Sequence, residues 1–195
     1  MLLSKDEKVE KNEDGMLKRL LDARVIMISD TVSDKMAKEV TLQAILMQEQ
    51  DPNKLITVYI NSPGGSADSG FAIYDILRFV TPPVQTLCTG LCASAAVLIY
   101  LAAEQKYRFS LPNSRFLLHQ PSTSLFGTAS DIEINANEII KLRERYNRIV
   151  ATETNKKIEQ INTDADRDFW LNTEQAVEYG LVGKIVQSYS EISSN

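Results

Sequence analysis

Three short apolar runs rich in β-branched residues, Arg24–Ile28, Leu55–Ile60 and Val84–Thr89, are each followed by a stretch with helical signals. Few folds accommodate that alternation. A parallel neighbour strand is reached only through a crossover, and crossovers are right-handed in nearly all proteins. The pattern predicts an α/β fold with a largely parallel sheet. Ser33 or Asp34 supplies an N-cap for a helix running to about Gln50, which Asp51-Pro52-Asn53 ends. Met36, Val40, Ile45 and Met47 give that helix an apolar side, widened by Leu42 and Leu46. Asn61–Gly65 reads as a turn, and a helix from about Asp68 to Phe79 stops at Thr81-Pro82-Pro83. Cys92–Ala103 reads as a second buried helix. Tyr107–Phe109 and Phe116–Leu118 read as short strands. Met16–Asp22 and Thr173–Tyr179 read as short helices, and Val182–Val186 as the last strand.

Asp131 to about Glu153 is different in kind. It is long and charged, with apolar residues at Ile132, Ala136, Ile139, Ile140, Leu142, Tyr146, Ile149 and Val150. The expectation is an arm outside the core, with its apolar stripe buried against a partner subunit. Lys141, Arg143, Arg145 and Arg148 alternate with Glu144 and read as a solvated face.

Composition removes several function classes. The formal net charge is -5, and the basic residues are scattered rather than clustered, which argues against nucleic-acid binding. The most apolar stretch, Leu91–Ala103, is shorter than the roughly 20 residues of a membrane-spanning helix. The N-terminus, Ser4 to Gly15, has no apolar core of signal-peptide length. Residues 1–15 are charged and are expected to be mobile. Two cysteines, Cys88 and Cys92, make no disulfide framework and suit a reducing, cytoplasmic setting. One histidine leaves little for a metal site. No P-loop, G-x-G-x-x-G or H-E-x-x-H occurs, so nucleotide binding and zinc-peptidase chemistry are not expected.

That single histidine is His119, at the end of Arg115-Phe116-Leu117-Leu118 and before Gln120-Pro121. Histidine is the usual general base near neutral pH, and parallel sheets place their sites at strand ends. The alternative is a structural histidine with satisfied hydrogen bonds. Thr89-Gly90-Leu91-Cys92-Ala93-Ser94-Ala95-Ala96 joins a strand to a helix and places Ser94 in the first turn. Backbone N–H groups there can hold an oxyanion. The alternative is a small serine in a packed, alanine-rich helix, and the segment does not match the G-x-S-x-G elbow. Pro63-Gly64-Gly65 is a second place where N–H groups can face a ligand, or simply a tight turn. A carboxylate to orient the imidazole could come from Asp164, Asp166 or Asp168, and spacing does not choose among them.

In combination these segments resemble the Clp protease proteolytic subunit (ClpP) family of serine peptidases. The matching stretches are Tyr59–Gly65, Thr89–Ala96, Leu118–Pro121, Ala129–Ile134, Asp166–Phe169 and Glu174–Leu181, in the family's order. The resemblance implies the ClpP/crotonase fold, an α/β architecture of repeated β-β-α-type units with a protruding handle helix at about residues 131–153. It implies one peptidase domain over residues 16–195. It implies Ser94 as nucleophile, His119 as base and Asp168, after Arg167, as orienter, with the backbone N–H groups of Gly65 and Ala95 as oxyanion hole. It also implies heptameric rings stacked as a tetradecamer, an AAA+ unfoldase that uses the ATP, and unfolded protein substrates. No cofactor belongs to the chain itself.

The chain departs from the family pattern in its charged N-terminus, in Pro121–Gly127 at the start of the handle, and in Leu91-Cys92 and Ala95-Ala96 around the serine. Those departures imply a divergent paralogue that pairs with a second ClpP-type subunit. Rival readings are a weakly active structural ring subunit, a crotonase-type enzyme acting on a coenzyme A thioester, and a cysteine peptidase using Cys92. The last is disfavoured because residues two apart on a helix point apart.

Overall fold

The computed structural model describes residues 15–122 and 126–192. The expected mobile N-terminal segment lies almost wholly outside the described residues, as does part of the altered handle start. Residues 15–22 are helical (α1). Then come β1 (Val25–Ile28), α2 (Asp34–Gln50), β2 (Ile56–Ser62), α3 (Ala67–Phe79), β3 (Val84–Ala93) and α4 (Ala95–Tyr100). They are followed by β4 (Arg108–Ser110), β5 (Arg115–Leu118), α5 (Ala129–Thr154), α6 (Ile158–Asp164), β6 (Phe169–Asn172), α7 (Thr173–Tyr179) and β7 (Lys184–Ile185).

Seven strands among the described residues form one sheet, in the order β1-β2-β3-β4-β7 with β5 on β3 and β6 on β5. All these pairings are parallel except β5 with β6. The expected parallel α/β sheet is therefore present. Local chemistry sets its helices. Ser33 caps α2 by accepting from the Met36 N–H, and Asn172 and Gln175 form a reciprocal capping box on α7. The core is one large cluster that includes Ile26, Ile60, Leu98, Ile99 and Phe116, all essentially inaccessible to solvent, with a small second cluster of Leu87, Phe109, Val186 and Ile192.

Several expectations need correction. β3 runs on to Ala93, so Cys92 lies on a strand, and the helix expected over Cys92–Ala103 is only Ala95–Tyr100. Cysteine, leucine and alanine carry no strong strand preference, and pairing with β5 overrides it. β1 is buried on one face only, since Met27 is 47% exposed. β6 and α6 have no counterpart in the sequence reading. The long helix is not wholly an arm: Tyr146, Val150 and Ala151 are buried in this chain's own core. Only its first half, with exposed Ile132, Ile134 and Ile140, projects.

The decisive feature is a change of partner along β3. Thr86–Cys88 pair with β4, whereas Leu91–Ala93 pair with β5. Between them the register against β2 slips, from Ile60↔Cys88 to Ser62↔Cys92. The strand bulges there, held by Asn61 Oδ1, which accepts from the Leu91 N–H at 2.9 Å. The second half of β3 thereby ends beside the end of β5.

Candidate active site

Ser94 stands between β3 and α4 with φ 55 and ψ -124. A non-glycine residue with positive φ costs on the order of 1–3 kcal/mol and persists only where its surroundings enforce it. Here they do. The Ser94 N–H donates to Leu117 O at 2.9 Å, and its carbonyl accepts from the Val97 N–H at 3.0 Å and the Tyr146 hydroxyl at 3.3 Å. The result is a strand–sharp turn–helix that presents the Oγ outward, although the sequence lacks the usual elbow motif. Ser94 is thus the N-cap residue of α4 and not part of its first turn.

His119 follows β5 as Ser94 follows β3. Ala93 pairs with Leu117, so the two residues leave adjacent parallel strands at neighbouring levels. The antiparallel register of β5 and β6 pairs Leu118 with Phe169. One step further, it sets His119 opposite Asp168, and Nδ1 lies 3.3 Å from Asp168 Oδ1. With Nδ1 turned to the carboxylate, Nε2 is left to accept a proton. The other two aspartates are engaged elsewhere. Asp164 accepts from the Tyr179 hydroxyl at 2.7 Å, and Asp166 lies beside Arg167 while its carbonyl accepts from Gln120 Nε2. No hydrogen bond from Ser94 Oγ occurs among the described residues. Catalytic hydrogen bonds commonly form only once substrate is bound.

Pro63-Gly64-Gly65 packs directly against this turn. A Cβ on Gly64 would lie 2.6 Å from Ala93 O and 3.0 Å from Ala95 N, so only glycine fits. Gly65, at φ 150, forms a parallel bridge with Val32, whose N–H and carbonyl bond Gly64 O and the Ser66 N–H. Those bonds use the residues on either side of Gly65. Its own N–H therefore points away from Val32, as the alternation of a β bridge requires. Ala95 is the first residue of α4, where the N–H has no partner within the helix. Gly65, Ser94, Ala95 and His119 all line one cleft of ≈ 460 Å³. Its remaining wall is largely apolar: Phe71, Leu98, Ile139, Leu142 and Tyr146.

Cys92 does not compete with Ser94. It is fully buried, and burial pushes its thiol well above the ordinary range. Cys92 lies on a strand and not on a helix, and it is burial that keeps it from the cleft. The sequence reading set the apolar stripe of the long helix, Leu142 and Tyr146 included, against a partner subunit, whereas both residues line this chain's own cleft. The signal that could have placed them was the length of the helix, too great for all of it to leave the core.

The Clp protease family model matches residues 7–189 of the chain. The chain is 46% identical over 180 residues to ATP-dependent Clp protease proteolytic subunit 2 of Pseudomonas aeruginosa, spanning 91% of this chain and 88% of the relative. It is 41% identical over 181 residues to the protein of that name from Treponema denticola, spanning 93% and 90%. Its structure is similar to that of a ClpP1 mutant from Listeria monocytogenes, with a TM-score of 0.85 and 40% identity over 91% of this chain and 99% of the other.

Proposed function

Because the chain belongs to the Clp protease family, whose proteolytic subunits are serine-type peptidases, we propose that Ser94, His119 and Asp168 form its catalytic triad. One observation carries the assignment. The only histidine lines the cleft into which a strained turn presents Ser94, and its Nδ1 lies beside Asp168. His119 Nε2 takes the proton as Ser94 Oγ attacks the substrate carbonyl. The Gly65 and Ala95 N–H groups stabilise the oxyanion, at sites that need no rearrangement during reaction. His119 then protonates the leaving amine, and water, activated by the same imidazole, hydrolyses the acyl-enzyme. Asp168 fixes the tautomer and supports the imidazolium. The apolar wall favours an apolar side chain beside the scissile bond.

The test is covalent labelling. A fluorophosphonate probe is expected to modify Ser94, mapped by mass spectrometry, and His119→Ala is expected to abolish the modification. Labelling at any other residue, or labelling indifferent to His119, would sink the triad.

The chain works within a larger machine in this reading: stacked heptameric rings, with an AAA+ unfoldase supplying unfolded protein and consuming the ATP, in the cytoplasm and without a cofactor of its own. No helix among the described residues is long and apolar enough to cross a membrane. Support for assembly comes from the projecting half of α5, where Ile132, Ile134 and Ile140 remain exposed. A second ClpP-type subunit in mixed rings accounts for the altered handle start. Mass measurement in solution is expected to give small species for the lone chain and a tetradecamer after co-expression with that subunit. A fully active tetradecamer of the lone chain would contradict mixed rings.

A further inference from the structure

Arg145 belongs to the helix face expected to be merely solvated, yet it does not simply extend into solvent. Its guanidinium covers the Phe71 ring, 3.8 Å from the centroid, and lies 3.5 Å from Asp68 Oδ1. Phe71 is itself a wall of the substrate cleft and is only 5% exposed. Beyond this wall is a second cavity of ≈ 620 Å³, lined by Arg145 and Arg148 and sharing Asp68 and Leu142 with the cleft. The two voids thus share Asp68 and Leu142, and Phe71 of the one is covered by Arg145 of the other.

We infer that Arg145, held by Asp68 over Phe71, is a positioning residue that shuts the end of the cleft and thereby limits the size of the apolar side chain accepted on the acyl side of the scissile bond. The inference rests on the serine-peptidase reading of that cleft and adds what sets its depth. The physical case is one of shape. A cation stacked on a ring restrains the ring while remaining half in water. An exposed ion pair adds little energy of its own, so the wall is held by contact geometry and not by a strong bond. Remove the guanidinium and Phe71 loses the group that backs it. The ring can then turn toward the vacated space, and the two cavities join. Arg145 touches neither the triad nor the oxyanion donors, so its loss changes which side chain fits and leaves the chemistry in place.

The experiment measures binding, which needs no turnover. Fluorescent peptides identical except for a C-terminal leucine or tryptophan, mimicking the released acyl product, are titrated by anisotropy into Ser94→Ala protein. The same titration is made with Arg145→Ala or Arg145→Lys added. Arg145→Ala is expected to improve the tryptophan peptide relative to the leucine peptide by about tenfold, the scale set by a few methylene-sized volumes in an apolar pocket. Arg145→Lys keeps a cation over the ring and is expected to retain the parental ratio. An unchanged ratio in Arg145→Ala, an equal shift in Arg145→Lys, or failure of both peptides to bind would each overturn the inference. Fluorophosphonate labelling of Ser94 in the parent protein reports on the peptidase reading separately, so the two ideas fail in different measurements.

Discussion

Ser94→Ala is expected to lower peptide hydrolysis by about 10⁶-fold, the loss seen when the nucleophile of a serine triad is removed, while leaving the protein folded. The backbone at this position leads to a companion expectation. Ser94 is held at φ 55, which costs any residue with a Cβ on the order of 1–3 kcal/mol. Alanine inherits that strain and glycine does not. Ser94→Gly should therefore be as inactive as Ser94→Ala but more stable than it. Glycine's extra freedom in the unfolded chain offsets about 0.5–1 kcal/mol of the gain. The remainder, roughly 1 kcal/mol, corresponds to about 2–4 °C in Tm for a chain of this length. Hydrolysis of a fluorogenic peptide and thermal melts of the three proteins check both halves. If the alanine variant kept a hundredth of the activity, Ser94 would not be the nucleophile. If the glycine variant melted below the alanine variant, the turn would not be strained.

The second large effect lies at residues that do not line the cleft. Arg108 is 1% exposed, and all three of its guanidinium nitrogens are used. Nε donates to Ala103 O, Nη1 to Glu153 O, and Nη2 to the Glu153 carboxylate. The same carboxylate accepts from Arg78 at 2.9 Å and from the Tyr74 hydroxyl at 3.0 Å. Burial pushes Arg108 below its ordinary pKa, and the charge of Glu153 is the largest influence opposing that fall. The Tyr74 phenol is pushed up to about 12, first by burial and then by Glu153. A buried pair of this kind adds little net stability over an apolar pair, but breaking it strands a charge. Glu153→Ala is expected to cost about 3–5 kcal/mol and to lower Tm by about 10 °C. Arg108→Met added to that variant should recover part of the loss, because the cation stranded by the loss of Glu153 is then gone. A Tm within about 3 °C of the parent, which is roughly 1 kcal/mol for a chain of this length, or a double variant no better than the single one, would count against this account. Glu153 lies in the last turn of α5, so its loss should also loosen Leu142 and Tyr146 and raise KM for peptides.

Local signals mark some elements of this chain to the residue and leave others to long-range pairing. Thr173–Tyr179 was legible to the residue, since Asn172 caps it and Gly180, at φ 89, stops it. The helix ending at Gln50 was equally clear, with Ser33 before it and Asp51-Pro52-Asn53 after. β3 beyond Thr89 was not legible. Leu91-Cys92-Ala93 is compatible with a helix, and only the pairing of Cys92 with Phe116 and of Ala93 with Leu117 makes it a strand. β6 was missed for the same reason, its four residues being defined by the antiparallel partner β5.

Ser94 itself shows the division most plainly. The order of motifs along the chain singled out a serine, the lone histidine and a glycine pair, because chemistry needs those residue types and each stands at a strand end or turn. Sequence spacing left three aspartates as equals. The register of β5 against β6 chose Asp168, since a two-stranded ladder fixes which residue faces His119 and sequence separation does not. The bulge and partner change in β3 likewise turned a serine expected within a helix into a strained residue at its threshold. Residue types are local facts and were read directly. Register, bulge and the Arg145 wall arise from contacts between segments far apart in the chain, and only the folded structure brings those segments together.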